Sequence, residues 1–188
     1  MEVDKAIQER KSVRHFSEKK PSWKEIIECI DSARFSPMAG NIFTLKFILV
    51  DDEKKIKKLA EASQQDFIVE SKYVVVVCTD SSLTLNAYEE RGEKYLRQQA
   101  GASIENLLLS LQAKGLSTCW IGHFVDSLVR EALGIPEGIE VEAMFPIGYE
   151  PIEKGKAPRK KKKIMLDSVL YFNKWKNKRM KSVEKLNV

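Results

Sequence analysis

The chain has 188 residues, 43% of them hydrophobic and 31% charged, with a formal net charge of +5. That length suits one ordinary domain that buries roughly 70% of its unfolded surface. With no 18-residue apolar span and no signal-peptide core, membrane-spanning and secreted readings are set aside and a cytoplasmic protein is expected.

The charge is unevenly spread. Residues 154–188 hold 13 of the 32 Lys and Arg and 2 of the 27 Asp and Glu, a net of +11, which leaves −6 for residues 1–153. A basic arm on an acidic body is compatible with nucleic-acid or anionic-surface binding. Yet the richest run, Arg159 to Lys163, leads into Ile164-Met165-Leu166, a pattern of ordered chain. Cys29, Cys78 and Cys119 are far apart, without C-x-x-C spacing, and read as buried structural thiols. His15 and His123 are too few for a three-ligand metal site of their own, and no metal is assigned.

In chain order, Val3, Ala6 and Ile7 give helical spacing to a first helix over 2–11. Ser22-Trp23-Lys24-Glu25 reads as a capping box after Pro21, opening a helix with an Ile26, Ile27, Cys29, Ile30 stripe that Pro37 and Gly40 stop. Residues 46–50 read as a strand, 53–63 as a lysine-rich helix and 73–78 as a buried strand with four consecutive valines. The longest pattern, 95–114, places Ile104, Leu107, Leu108 and Leu111 on one helical face, with Gly115 as a left-handed cap. A short strand over 116–121, a helix over 126–133 and a strand over 141–147 complete an alternation that points to a mixed α/β class.

Catalytic signatures are scarce: there is no G-x-S-x-G elbow, no H-E-x-x-H and no Cys/His pair at a recognised spacing. If the chain is an enzyme, a cofactor does the chemistry. The phosphate-binding glycine motifs are missing too, so a phosphorylated cofactor needs cationic side chains. Arg10-Lys11-Ser12-Val13-Arg14-His15-Phe16 supplies them, and is either an anion cradle or a solvated helix end favoured by the macrodipole. Ser36-Pro37-Met38-Ala39-Gly40-Asn41 is a tight turn in which the Asn amide can read a heterocycle edge, or an ordinary loop. Gly115 to Phe124 forms a strand end where Gly122 can expose its N–H, or a plain turn glycine. Pro158-Arg159-Lys160-Lys161 is a second cationic site, or a solvated loop.

In this order and at these separations the four segments resemble the nitroreductase family of flavoproteins, through nearly the whole chain. The family's R-x-S-x-R-x-F stands as Arg10 to Phe16, its A-P-S-A-G-N-type turn as Ser36 to Asn41, and its N-L-L-L-A-A and G-L-G-S-x-W-I-G as Asn106 to Leu111 and Gly115 to Gly122. Its closing P-x-G-Y and P-R-K stand as Pro146-Ile147-Gly148-Tyr149 and Pro158-Arg159-Lys160.

The resemblance implies an α+β fold: a three-layer sandwich whose central mixed, mainly antiparallel sheet is flanked by helices. It further implies a homodimer with two non-covalent FMN sites at the subunit interface. Residues 1–166 would form the FMN-binding domain, and 167–188 a basic C-terminal extension reaching the partner subunit. By position, Arg10, Ser12 and Arg159, helped by Lys161, would hold the phosphate and ribityl chain, with Lys11 or Arg14 near flavin N1 and O2. Ser36, Pro37, Met38 and Asn41 would come from the other subunit. Gly122 would present its N–H near N5, Ile121 would join the apolar wall, and Gln65, preferred over Gln64, would contact ring or ribityl.

The implied activity is hydride transfer from NADH or NADPH through flavin N5 to an electron-poor small molecule such as a nitroaromatic or quinone, in a ping-pong cycle with no catalytic side chain. Many relatives continue the turn as N-x-Q-P-W-x-F; here Asn41-Ile42-Phe43-Thr44-Leu45-Lys46-Phe47 loses the Gln, Pro and Trp, which leaves the acceptor open. Two alternatives stand beside this reading. One keeps the fold and FMN but performs dehalogenation or flavin fragmentation. The other is a basic nucleic-acid-binding module, disfavoured because aromatics are not interleaved with the basic runs.

Overall fold

The computed structural model describes residues 1–151, 164–178 and 180. The chain forms two compact units, Met1–Ile152 and Glu153–Val188. In the first, four strands, β1 (Leu45–Val50), β2 (Tyr73–Asp80), β3 (Ser117–Thr118) and β4 (Ile139–Gly148), form an antiparallel sheet in the order β1-β2-β4-β3. Six helices accompany them: α1 (Val3–Glu9), α2 (Trp23–Ala33), α3 (Glu53–Ser63), α4 (Ser82–Tyr88), α5 (Glu90–Ala113) and α6 (Asp126–Leu133).

The valine run of β2 explains the three layers. Alternate side chains of a strand point to opposite faces. Val75 and Val77 join Ile26, Ile104, Leu107 and Phe145 beneath α2 and α5, while Val74 and Val76 join Ile56, Leu59, Val129 and Met144 beneath α3 and α6. A central strand covered on both sides needs apolar residues at every position, which is why β2 reads as one continuous run. Among the described residues, the parallel component of the sheet is a single bridge between Ser12 and Thr118, outside the named strands.

α5 ends as a Schellman motif: Gly115, at φ +73°, donates its N–H to Gln112, and Leu116 donates to Leu111. Its buried Leu111 and Leu116 supply the apolar contact that accompanies such an end. Ser22 does hold the N-cap position of α2, but its side chain makes no capping bond. There the helix is held by burial of Ile26, Cys29 and Ala33 at helical spacing. α4 lacks an apolar stripe, with Thr84 its buried residue, and the sequence reading missed it. The strand expected over 116–121 is shorter: Ser117 and Thr118 pair with β4, Cys119 and Trp120 do not, and Ile121 bridges Met144.

All three cysteines are free and buried. Among the described residues, no helix is long and apolar enough to cross a membrane. In the second unit a four-residue helix, α7 (Leu166–Val169), precedes a local cluster in which Tyr171 and Trp175 pack at 4.6 Å and Lys178 Nζ sits 3.9 Å from the Tyr171 ring centroid.

Candidate functional site

Arg10 ends α1, its backbone N–H donating to Ala6 O at 3.0 Å, and its guanidinium Nε lies 3.6 Å from Glu105 Oε1 on α5. Ser12 then pairs with Thr118, and the Val13 N–H donates to Thr118 O at 2.9 Å. The cationic segment therefore runs beside the β3 edge. Its far end is anchored by Phe16, buried against Gly148, and by Glu70, which accepts the Phe16 N–H at 2.9 Å and lies 3.5 Å from His15 Nδ1.

The three cations of the segment part company. Lys11 pairs with Glu150 at 2.6 Å and lines a depression of about 220 Å³ with Val13, Ser117 and Tyr149. Arg14 is exposed and makes no ion pair with a described residue. The Arg10–Glu105 contact is long and partly solvated, a class worth about 0–1 kcal/mol. A charge-assisted hydrogen bond contributes about 1.5–3 kcal/mol, so an entering phosphate can draw Arg10 away.

Thr118 is only 6% exposed, and its Oγ1 finds no hydrogen-bond partner among the described residues. Residues paired across a ladder project from the same face, which sets this hydroxyl beside the exposed Ser12. A few residues on, buried Ile121 exchanges two 3.0 Å backbone bonds with Met144. Gly122 follows at the surface, where an added Cβ would meet nothing closer than Trp120 Nε1 at 3.5 Å. Among the described residues, nothing requires glycine at this position. The open space is available to something outside the chain.

The turn at 36–41 is fastened to α5 by polar side chains. Asn106 Nδ2 donates to Ser32 O at 3.4 Å, Ser103 and Ser36 share a 2.5 Å hydroxyl bond, and the Gln99 carboxamide binds Ile42 and Thr44. Residues 99, 103 and 106 recur at helical spacing, so one stripe of α5 grips successive points of the connection after α2. Gly40 and Asn41 both adopt left-handed conformations, at φ +57° and +59°. Asn tolerates this region better than most residues, and Gly40 has a second reason to be glycine: a Cβ there would lie 2.5 Å from the Tyr88 hydroxyl. Pro37, Met38 and Ala39 line a groove of about 330 Å³ with Tyr95, Gln98 and Ala102 of α5.

The structure thus brings Arg10 and Ser12 beside β3, a few residues before Ile121 and Gly122, and sets Ser36, Pro37 and Met38 along α5, with Asn41 next in the same turn. Gln65 precedes the short 3₁₀ turn Asp66–Glu70, half-buried, with its N–H on Ala60 O, and that turn carries the Glu70 anchor. Arg159 and Lys161 lie outside the described residues. Thr118, Glu70, Gln99, Tyr95 and Gln98 were not singled out from sequence. Gln99 and Ser103 did leave a signal, polar residues in step with the apolar face of a long helix.

The fold and site define an α+β protein with a cationic segment on a sheet edge and a polar-fastened turn across its longest helix. The Nitroreductase family model matches residues 7–149, and the chain belongs to that family. A provisionally named NADH dehydrogenase/NAD(P)H nitroreductase of Archaeoglobus fulgidus is 32% identical over 155 residues, covering 80% of this chain and 86% of that protein. The iodotyrosine deiodinase of Thermotoga neapolitana is 25% identical over 166 residues, 80% of this chain and 89% of its own. The FMN reductase (NADPH) of Bacillus subtilis is 23% identical over 168 residues, 81% and 68% of the two chains. Among solved structures, a nitroreductase family protein from Streptococcus pneumoniae superimposes with a TM-score of 0.81 at 20% identity, covering 91% of this chain and all of the other.

Proposed function

We propose that this protein is an FMN-dependent NAD(P)H oxidoreductase acting on an electron-poor small molecule such as a nitroaromatic or quinone. The observation that carries this reading is the pairing of Ser12 with Thr118, which sets a cationic segment, an exposed hydroxyl and an orphan buried hydroxyl on one strand edge that continues to open Gly122. These residues fit an elongated, anionic, flat ligand. A hydroxyl without a partner is what a ligand oxygen satisfies, and a glycine with no internal reason to be one permits close approach. The names of the Archaeoglobus and Bacillus relatives support the nicotinamide and the flavin.

When bound, FMN supplies the hydride chemistry, taking two electrons from NAD(P)H and delivering them to the acceptor. The chain binds and orients it. Arg10 and Ser12 hold the phosphate; Arg14 stands ready for the flavin edge that gathers negative charge. Lys11, already neutralised by Glu150, takes the smaller share. Ile121 and Met38 exclude water from the ring, and Gly122 offers its N–H.

Pro37, Met38 and Asn41 act across a homodimer interface, with the buried Ser36 fastening their turn to Ser103. This is supported by the exposed apolar residues Val3 and Ile7 on α1, Trp23 and Ile27 on α2, and Phe35, 70% exposed immediately before the turn. The deiodinase relative favours a second reading in which the same site removes halide from an aromatic substrate.

The visible spectrum of the purified protein tests the core of this reading. A yellow protein that releases FMN and oxidises NAD(P)H with nitro compounds or quinones, giving parallel lines in two-substrate kinetics, is expected. A colourless protein that takes up no added FMN overturns it, and turnover of halogenated phenols alone selects the second reading.

A further inference from the structure

The strongest unassigned feature is a buried amide. Gln99 sits on α5 at 4% exposure, and its side-chain hydrogen bonds to described residues all go to the connection that follows the 36–41 turn. Its Oε1 accepts from the Thr44 N–H at 3.0 Å and from Thr44 Oγ1 at 2.6 Å, while its Nε2 donates to Ile42 O at 3.0 Å. Thr44, itself buried, accepts the Asp80 N–H at 2.9 Å through its carbonyl, so the same residue joins α5 to the end of β2.

One turn of α5 further on, Ser103 holds Ser36. The Pro37–Asn41 turn is thus pinned on both sides, which is what two adjacent left-handed residues need. A conformation costing about 1–3 kcal/mol per non-glycine residue persists only where its surroundings over-determine it. Apolar packing of α5 is complete without this amide, since Ile104, Leu107 and Leu111 fill the core. A buried primary amide is tolerated where it is hydrogen-bonded, and the side-chain hydrogen bonds of Gln99 to described residues all go to Ile42 and Thr44.

We infer that Gln99 is a positioning residue: through Ile42 and Thr44 it fixes the Gly40–Asn41 turn in the geometry that receives the flavin. This rests on the FMN reading above. A shift of the turn by even an ångström would misplace Met38 and Asn41 together, because no hinge separates them from residue 42.

The chemistry of the amide yields a discriminating variant. In Gln99→Glu both Thr44 donors keep their acceptor. The bond to Ile42 O survives only while the carboxyl is protonated, and once ionised it opposes a carbonyl oxygen in a buried setting, so its pKa is raised. The titratable and charged side chains on the packed elements include Glu90, Arg91, Glu93, Lys94, Tyr95, Arg97 and Glu105 on α5, Tyr88 on α4, Tyr73, Cys78 and Asp80 on β2 and Lys46 on β1. All of them are present in the wild type, whose pH profile subtracts them.

FMN affinity, followed by quenching of flavin fluorescence, together with visible circular dichroism of the bound flavin, is the readout. For Gln99→Glu, affinity near wild type at about pH 5.5 and a fall of about tenfold by about pH 8.5, with a changed flavin dichroism, are expected. Gln99→Met, of similar volume and unable to titrate, should lose about tenfold at both pH values. A wild-type affinity for Gln99→Met, or a pH-independent Gln99→Glu, overturns the inference while leaving the flavin reading intact. Failure of the wild type to bind FMN overturns that reading and this one with it.

Discussion

A buried hydroxyl left without a partner costs about 1–3 kcal/mol, and Thr118 carries one next to the cationic segment. Replacing threonine by valine keeps the shape and removes the orphan. Thr118→Val should therefore leave the apoprotein as stable as the wild type or stabilise it by up to about 1 kcal/mol in urea denaturation. The same variant should bind FMN several-fold more weakly, because the group that a ligand oxygen would satisfy is gone. A destabilised apoprotein with unchanged FMN affinity would show the hydroxyl to be structural. Cys78 behaves in the opposite way. Burial pushes the Cys78 thiol up to about 11, leaving it neutral and unreactive near neutral pH.

At the scale of elements, what could be read from sequence is what had a strong period or a strong stop. The valine run, the α5 leucines and the Gly115 terminator all correspond to observed features, because burial and left-handed caps write themselves into residue type. α4 was missed because a seven-residue helix folded back on α5 needs no apolar stripe: Gly92 lets it approach until an added Cβ would lie 3.0 Å from Leu85 Cδ2 and from Thr84 O. Of the candidate site, the family resemblance named segments, but not how they are held. Glu70 gripping Phe16, and Gln99 gripping Thr44, join residues more than fifty apart that no local pattern links. Gly148 belongs with them. A Cβ there would fall 2.8 Å from Phe16 Cδ1, and the ring is buried with little room to yield. Gly148→Ala should cost about 1–3 kcal/mol of unfolding free energy, and should loosen the cationic segment that Phe16 ends. Protection of the 12–16 amides from hydrogen exchange measures the second effect; unaltered protection would mean that Phe16 is not the anchor.

For the whole molecule the question is what covers the apolar side chains that the first unit leaves in water. Val3 and Ile7, and likewise Trp23 and Ile27, are spaced one helical turn apart, so each pair presents a stripe rather than a scattered residue. Phe35, 70% exposed, lies next to the turn proposed to serve a partner's flavin. On a monomer, a charged residue at such positions changes stability by less than about 0.5 kcal/mol. At the centre of an interface it places a charge in a desolvated setting, which costs far more. Ile7→Glu and Phe35→Glu therefore separate the two cases. Sedimentation should give twice the chain mass for the wild type and the chain mass for both variants, with α-helical circular dichroism unchanged. If the site is built from two subunits, the same variants lose bound FMN, although neither replaces a proposed FMN ligand. Variants that remain dimeric, or a wild type that sediments as a monomer with FMN bound, would remove the shared site. A monomeric variant that keeps its flavin would place all the ligands in one chain.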